Sequence, residues 1–281
     1  MYTCRNCSFK AGWRPGQTFP FKVKNLLRWS GATQDDIRKL DFNAWQIRET
    51  KKVDPAYIVK EWVKLDFPEK KLPEGSKPIS EWIQDGTYSP SFLSVVEYLA
   101  DRGEDLMLGY DYYWNPTTEN DLNRRLLIPF KWDDKIVGYT ARAIFPTRNR
   151  YYSDVPTGYI FNTQVLKNDW EYLFINEGPL DGIASRGIGM LGDQISPDQI
   201  KWITQTGRTP IVVPDREKEG GKLVDVALKE GWYVSFPKWS KDIKDAAAAA
   251  KAYGQLYTIW SLIDAKTNNK LQINIERQRL R

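Results

Sequence analysis

Histidine is absent from all 281 residues. That removes imidazole general bases, Ser-His-Asp and Cys-His nucleophilic schemes, and His-rich zinc sites together. Cysteine occurs only as Cys4 and Cys7, in YTCRNCSFKAGW. This Cys-x2-Cys knuckle offers two soft thiolates at a spacing tetrahedral zinc accepts, but a closed structural site takes four ligands. A redox pair is the other reading, although no thioredoxin-like strand precedes it and no helix clearly follows. No apolar run is long enough to span a bilayer, and the start lacks the apolar core of a secretory signal. The expectation is a cytosolic protein whose chemistry rests on carboxylates, lysines and arginines.

What is present is charge and aromatic surface. There are 41 Lys and Arg against 36 Asp and Glu, a net +5, and the excess is uneven. Residues 124–150 hold seven basic and two acidic side chains. Such a stretch reads equally as a contact for a polyanion or as a solubilising face. Twelve Trp and fifteen Tyr belong mostly in a core, with base stacking open to the remainder. The length suits two modules.

The most informative stretch is Glu171–Glu217. Leu173, Phe174 and Ile175 read as a buried strand, Glu177 and Gly178 stand at its carboxyl end, and Pro179 suits the first turn of a helix carrying Asp181. Ile211, Val212 and Val213 repeat the strand pattern before Asp215-Arg216-Glu217, where an extended backbone would put Asp215 and Glu217 on one side. Either acidic turn alone is usually only a solvated turn. Two of them, separated by a helix-sized crossover, favour a site.

Around this centre, Thr33 with Asp36 makes a capping-box-like helix start, and Asp54-Pro55 caps a second helix with Ile58, Trp62 and Leu65 on one face. Pro68–Pro78, with three prolines and several charges, reads as an extended linker. Phe92, Val95, Val96 and Leu99 recur at i, i+3, i+4 and i+7, giving an amphipathic helix that ends near Arg102-Gly103. Tyr110–Trp114 is aromatic and better placed in a core than stacked on nucleic-acid bases. Arg125–Phe130 and Lys135–Ile144 read as a hairpin turning at Asp133-Asp134, with Arg125 and Arg142 on its two arms. Asp242 and Asp245 precede an Ala246–Ala250 helix and could simply cap it. Leu256, Ile259, Trp260 and Ile263 form a further helical stripe, followed by a basic tail.

The Glu-Gly element followed by Asp-x-Glu resembles the TOPRIM module, whose signature is Glu-Gly then Asp-x-Asp. Glu217 stands where the family has Asp, keeping the charge on an arm one methylene longer. RLLIPFKWDDKIVGYTARAI, RYYSD, MLGDQISPDQI and SKDIKDAAAAAKAYG resemble further elements of DnaG-type DNA primases over about residues 90–254, closest to the compact primases of T-even-like bacteriophages. The amino-terminal knuckle resembles the second half of the primase zinc ribbon. Its first half would be encoded upstream, sit on another chain, or have been lost; a partial or relic ribbon ranks first.

The resemblance implies an α/β fold: a TOPRIM catalytic domain with a central, mostly parallel sheet flanked by helices, and a mainly helical amino-terminal half. The implied divisions are a partial zinc ribbon (1–20), a helical segment (21–66), a linker (67–80), a primase-core subdomain (81–165), a TOPRIM subdomain (166–250) and a carboxyl-terminal helix with basic tail (251–281). It implies a primase making short RNA primers on single-stranded DNA in phage replication, within the infected host cell. Glu177, Asp215 and Glu217 would be catalytic. Asp181, Asp215, Glu217, Asp242 and Asp245 would ligate Mg²⁺ or Mn²⁺, with zinc at Cys4 and Cys7 only if the missing ligands are supplied. Arg125, Arg142, Arg150 and Lys241 would meet nucleotide or DNA phosphates. Partners would be the template, ribonucleoside triphosphates and a replicative helicase. The rivals are a TOPRIM nuclease and a non-catalytic helicase or single-strand-binding accessory subunit.

Overall fold

The computed structural model describes residues 2–3, 10–12, 18–50, 63–86, 88–192, 194–216 and 221–279, with side chains in the long second helix described to residue 42. The chain divides into two compact units, Met1–Glu61 and Trp62–Arg281. In the first, a two-residue antiparallel pair, β1 (Tyr2–Thr3) and β2 (Lys10–Ala11), precedes α1 (Phe21–Trp29) and α2 (Gln34–Thr50). The start of α2 is a reciprocal box: the Asp36 amide donates to Thr33 Oγ1 at 3.2 Å and the Thr33 amide donates to Asp36 Oδ2 at 3.1 Å, so two otherwise orphaned donors are satisfied. Cys4 and Cys7 lie outside the described residues, as does the stretch 54–62 of the expected second helix.

In the second unit, residues 63–66 are not helical, contrary to the expected span to residue 66. Pro68 disfavours helical backbone at the residue before it, and Phe67 is held in edge contact with Trp132 and Tyr159, ring centroids 5.0 and 5.5 Å away. The expected linker is extended, but it is fastened to the core: the Lys70 amide donates to Ile136 O, and β3 (Lys77–Pro78) joins a sheet before buried Ile79 opens α3 (Ile79–Gln84). Next come α4 (Pro90–Asp101), α5 (Glu104–Leu108) and β4 (Tyr113–Trp114). Ser89 caps α4 by accepting from the Phe92 amide, Pro90 takes the first turn, and Phe92, Val95 and Leu99 face inward.

The hairpin forms as β5 (Arg125–Trp132) and β6 (Lys135–Ala143), with β7 (Tyr151–Asp154) added antiparallel. Asp133 and Asp134 both have positive φ, 47° and 66°, as a two-residue turn matched to strand twist requires, and Asp tolerates this region better than most side chains. The five antiparallel strands run in the order β3-β4-β5-β6-β7. The amino-terminal half thus combines the helices α1 to α5 with most of this antiparallel sheet. One face of β5 and β6, with Leu126, Ile128, Phe130 and Val137, belongs to the main core; Leu127, Tyr139 and Ala141 form a small second core with Leu122 on the other.

The second five-stranded sheet comprises β8 (Tyr172–Asn176), β9 (Ile188–Gly189), β10 (Thr209–Val212), β11 (Tyr233–Ser235) and β12 (Lys266–Thr267), in the order β12-β11-β10-β8-β9. All its pairings are parallel except β11 with β12. The helices that accompany it are α6 (Pro179–Ala184), α7 (Pro197–Gln205), α8 (Gly221–Glu230), α9 (Ala246–Tyr253), α10 (Gln255–Asp264) and α11 (Lys270–Arg279). At Gly187 a Cβ would collide with the Phe174 carbonyl, so the close approach of β9 to β8 depends on glycine there. Among the described residues no helix is long and apolar enough to cross a membrane.

Candidate active site

The chain order reverses at β8, which has β9 on one side and β10 on the other. A crevice beyond the carboxyl ends of parallel strands is the usual binding place in such a sheet. Glu177 follows β8 and Asp215 follows β10, strands that pair Ile175 with Val212. Both acids line one cavity of about 760 Å³, together with Asp181 and Asp245. Buried Asn176 holds the end of β8 by donating to Ser185 Oγ at 2.8 Å and to Ile188 O at 3.2 Å. At Gly178 a Cβ would stand 2.9 Å from Asp181 Oδ2, which explains glycine between strand and helix.

Asp181 and Asp245 share one helix end. Asp245 is the amino-terminal cap of α9 and accepts from the Ala248 amide at 2.7 Å, while Asp181 accepts from the Ala247 amide at 3.0 Å. Capping and cavity lining are thus done by the same side chains. Asp181 keeps some surface toward the cavity and is otherwise enclosed by protein. Its carboxyl is pushed up to about 8, first by loss of water and then by the charges of Asp245 and Asp215; the Ala247 amide and Arg102 act the other way.

This raised value has a measurable consequence. The unperturbed carboxyl sits near 3.8, so the folded state binds more protons than the unfolded state between about pH 4 and 8, and stability falls as pH rises through that window. Asp181→Asn keeps an oxygen for the Ala247 amide and removes the charge. In chelator it is expected to stabilise the protein at pH 8 by on the order of 2–4 kcal/mol, with the gain vanishing toward pH 4. Thermal unfolding of both proteins across this range checks it; a gain independent of pH would assign the effect to packing.

The same cavity has a basic wall. Arg102, Arg142, Arg150 and Lys244 line it with Thr140, Tyr151 and Ser153. Arg142 donates to the Tyr151 hydroxyl and lies 5.3 Å from that ring's centroid; Arg102 lies 5.0 Å from the centroid of Tyr98. Pairing of Leu126 with Arg142 and of Arg125 with Ala143 puts Arg125 and Arg142 on opposite faces, because strand side chains alternate. Arg125 is accordingly buried, with its guanidinium donating to Asn120 O, Ala141 O and Asn149 O at 2.9, 3.3 and 3.1 Å. It is a structural strut, and the expectation of a phosphate contact is corrected.

Two further expectations change. Lys241 and Asp242 are exposed and do not line the cavity; the turn before α9 presents Lys244 and Asp245 instead. Glu217 lies outside the described residues. Arg216, given no role by sequence reasoning, fastens the two loops together. Its amide donates to Lys244 O at 2.9 Å, and its guanidinium donates to Trp239 O at 3.1 Å, Ser240 O at 3.0 Å, Ile243 O at 3.2 Å and Pro237 O.

The donor set facing the cavity is all hard oxygen, which suits Mg²⁺ or Mn²⁺. Loss of water is the first cause of the raised Asp181 carboxyl; the further push from the charges of Asp245 and Asp215 is what a bound cation would relieve. Among the described residues no three carboxylates are gathered into a metal-holding group.

The two sheets and their helices make the mixed α/β fold of the DnaG primase catalytic core. A DnaG primase catalytic domain bound to single-stranded DNA superposes with a TM-score of 0.53 at 13% identity, over 72% of this chain and 82% of that one. The Escherichia coli primase catalytic core gives 0.53 at 14% identity, covering 72% and 81%. The Aquifex aeolicus primase, with its zinc-binding and RNA polymerase domains, gives 0.51 at 15% identity, covering 98% and 83%. No family model and no curated protein sequence matches.

Proposed function

We propose that the protein is a DNA primase that joins ribonucleotides on a single-stranded DNA template, with the TOPRIM-like parallel sheet as its catalytic half. The observation that carries this reading is one cavity with an acidic floor and a basic wall, set beyond the carboxyl ends of β8 and β10. The solved structures of similar fold support it, since one holds single-stranded DNA. Residues 81–165 would form the primase-core subdomain and 166–250 the TOPRIM subdomain, with phage replication and a helicase partner as the setting.

Asp215 and Asp181, with Asp245 and Glu217, would hold a divalent ion. That ion would supply Lewis-acid stabilisation of charge on the triphosphate. Glu177 would orient the attacking 3′ hydroxyl or take its proton, and Arg102, Arg142, Arg150 and Lys244 would hold phosphates of template or nucleotide. A non-catalytic accessory subunit would use the same wall without the floor, and a nuclease would use both to cut.

The phosphate role of the wall is tested by binding. Arg142→Ala is expected to weaken binding of an oligodeoxynucleotide and to flatten the dependence of log affinity on log salt by about one unit. Fluorescence anisotropy over a salt series measures both quantities. An unchanged slope with unchanged nucleotide affinity would reassign Arg142 to structural pairing with Tyr151.

A further inference from the structure

Helix α10 has one face that the core does not use. Thr258, Ser261 and Leu262 are buried, whereas Tyr257 and Trp260 are 48% and 55% exposed, as is Tyr253 at 38% on the preceding helix. The three rings form a row: centroids are 5.4 Å apart from Tyr253 to Tyr257 and 5.6 Å apart from Tyr257 to Trp260. Leu256, 83% exposed, flanks them.

The helices that carry this row hold the turn that leads to the candidate site. The Tyr253 hydroxyl lies 2.8 Å from Ser240 Oγ and accepts from the Ser240 amide at 3.2 Å, and Trp239 Nε1 donates to Ser261 Oγ at 2.9 Å. The turn so fixed against α10 is the one that Arg216 clamps and that presents Lys244 and Asp245 to the cavity. It also carries exposed Lys238 and Lys241, neither of which forms an ion pair among the described residues. Exposed rings and lysines without ion pairs, joined by one turn to a cavity lined by arginines, match the composition of a stacking platform for a single strand, in which bases rest on aromatic faces and cations follow the backbone.

We propose that Tyr253, Tyr257 and Trp260 stack bases of single-stranded DNA as it leaves the cavity, with Lys238 and Lys241 beside its phosphates. The inference rests on the reading of the cavity as a single-strand site and adds a second contact region to it. It gives Lys241 a place on the strand's exit path.

The experiment compares oligothymidylates of roughly 5 and roughly 15 nucleotides, within the span that single-strand sites occupy, using anisotropy and intrinsic tryptophan fluorescence. Wild-type protein should bind the long strand more tightly. The double variant Tyr257→Ala with Trp260→Ala should lose about tenfold or more on the long strand, keep its affinity for the short one, and keep its salt slope, because stacking releases no counterions. Trp260→Phe, which retains a ring, should keep most of the long-strand affinity while losing part of the fluorescence quenching. Thermal melts run in parallel, and Tyr257→Ala alone serves if the double variant fails to fold. Unchanged long-strand affinity in the variants overturns the platform and leaves the primase reading standing. Loss of self-association in sedimentation without loss of DNA affinity overturns it in favour of a protein contact. If wild-type protein binds neither strand, the primase reading and the platform fail together.

Discussion

Asp215→Asn should leave the fold and single-strand binding intact and reduce nucleotide joining by about a hundredfold to ten-thousandfold, the range lost when one essential acid, base or metal-holding group is removed. The substitution keeps the side chain's volume and removes its charge at the end of β10, where the cavity floor needs a carboxylate. DNA binding should survive because the basic side chains that would meet phosphates, Arg102, Arg142, Arg150 and Lys244, are kept. Removal of the Asp215 charge should also relieve the Asp181 carboxyl, which Asp215 and Asp245 push up. Single-turnover joining, paired with anisotropy on the same preparations, separates the two effects. Parallel loss of binding and joining would mean that Asp215 holds the loop rather than the chemistry.

The second large effect is expected at Arg216. Its guanidinium serves carbonyls of Pro237, Trp239, Ser240 and Ile243 and sits 5.5 Å from the Trp239 ring centroid. Hydrogen bonds to a charged donor contribute about 1.5–3 kcal/mol each and do not add. Arg216→Ala is expected to destabilise the protein by about 2–4 kcal/mol. Because the clamped turn carries both Lys244 and Asp245, the turnover rate and the nucleotide affinity should both fall. Arg216→Lys keeps the charge but lacks the planar fork, so it should recover only part of either loss. Urea unfolding and the split between kcat and KM measure both; a loss confined to stability would make Arg216 a structural residue only.

Two strands of the parallel sheet, β8 and β10, were legible because they are buried runs bounded by turn residues. LFI before Glu177 and IVV before Asp215 carry their own ends, and the helical spacing of Phe92, Val95, Val96 and Leu99 and the Asp-Asp turn of the hairpin are local signals of the same kind. The antiparallel sheet was legible only at that hairpin. β3 and β4 are two residues each, too short to show alternation, and they exist because Phe67, Ile79 and Trp114 are drawn into the aromatic core. Extended backbone around Pro68–Pro78 looks the same whether it is free or fastened down; its packing partners are distant in sequence.

The candidate site divides in the same way. Glu177 follows β8, Asp181 sits in the first turn of the helix after it and Asp215 comes shortly after β10, so position in sequence pointed to them. Arg125 and Arg142 were both expected on the groove, but their relation depends on the hairpin register, which offsets them by one residue and sends them to opposite faces. Arg216 was passed over because its partners are backbone carbonyls some two dozen residues away, which no side-chain pattern announces. Arg102 stood in a recognised helix end without a role, since only the approach of α4 to the cavity supplies one.

The most direct test of the whole account is primer synthesis: purified protein, single-stranded DNA template, labelled ribonucleoside triphosphates and Mg²⁺ or Mn²⁺, with and without a replicative helicase, resolved on a sequencing gel. Short labelled RNA products that require template and metal, and that vanish with Asp215→Asn, are expected. Cleaved DNA in place of RNA products, or no product under any of these conditions, would contradict it.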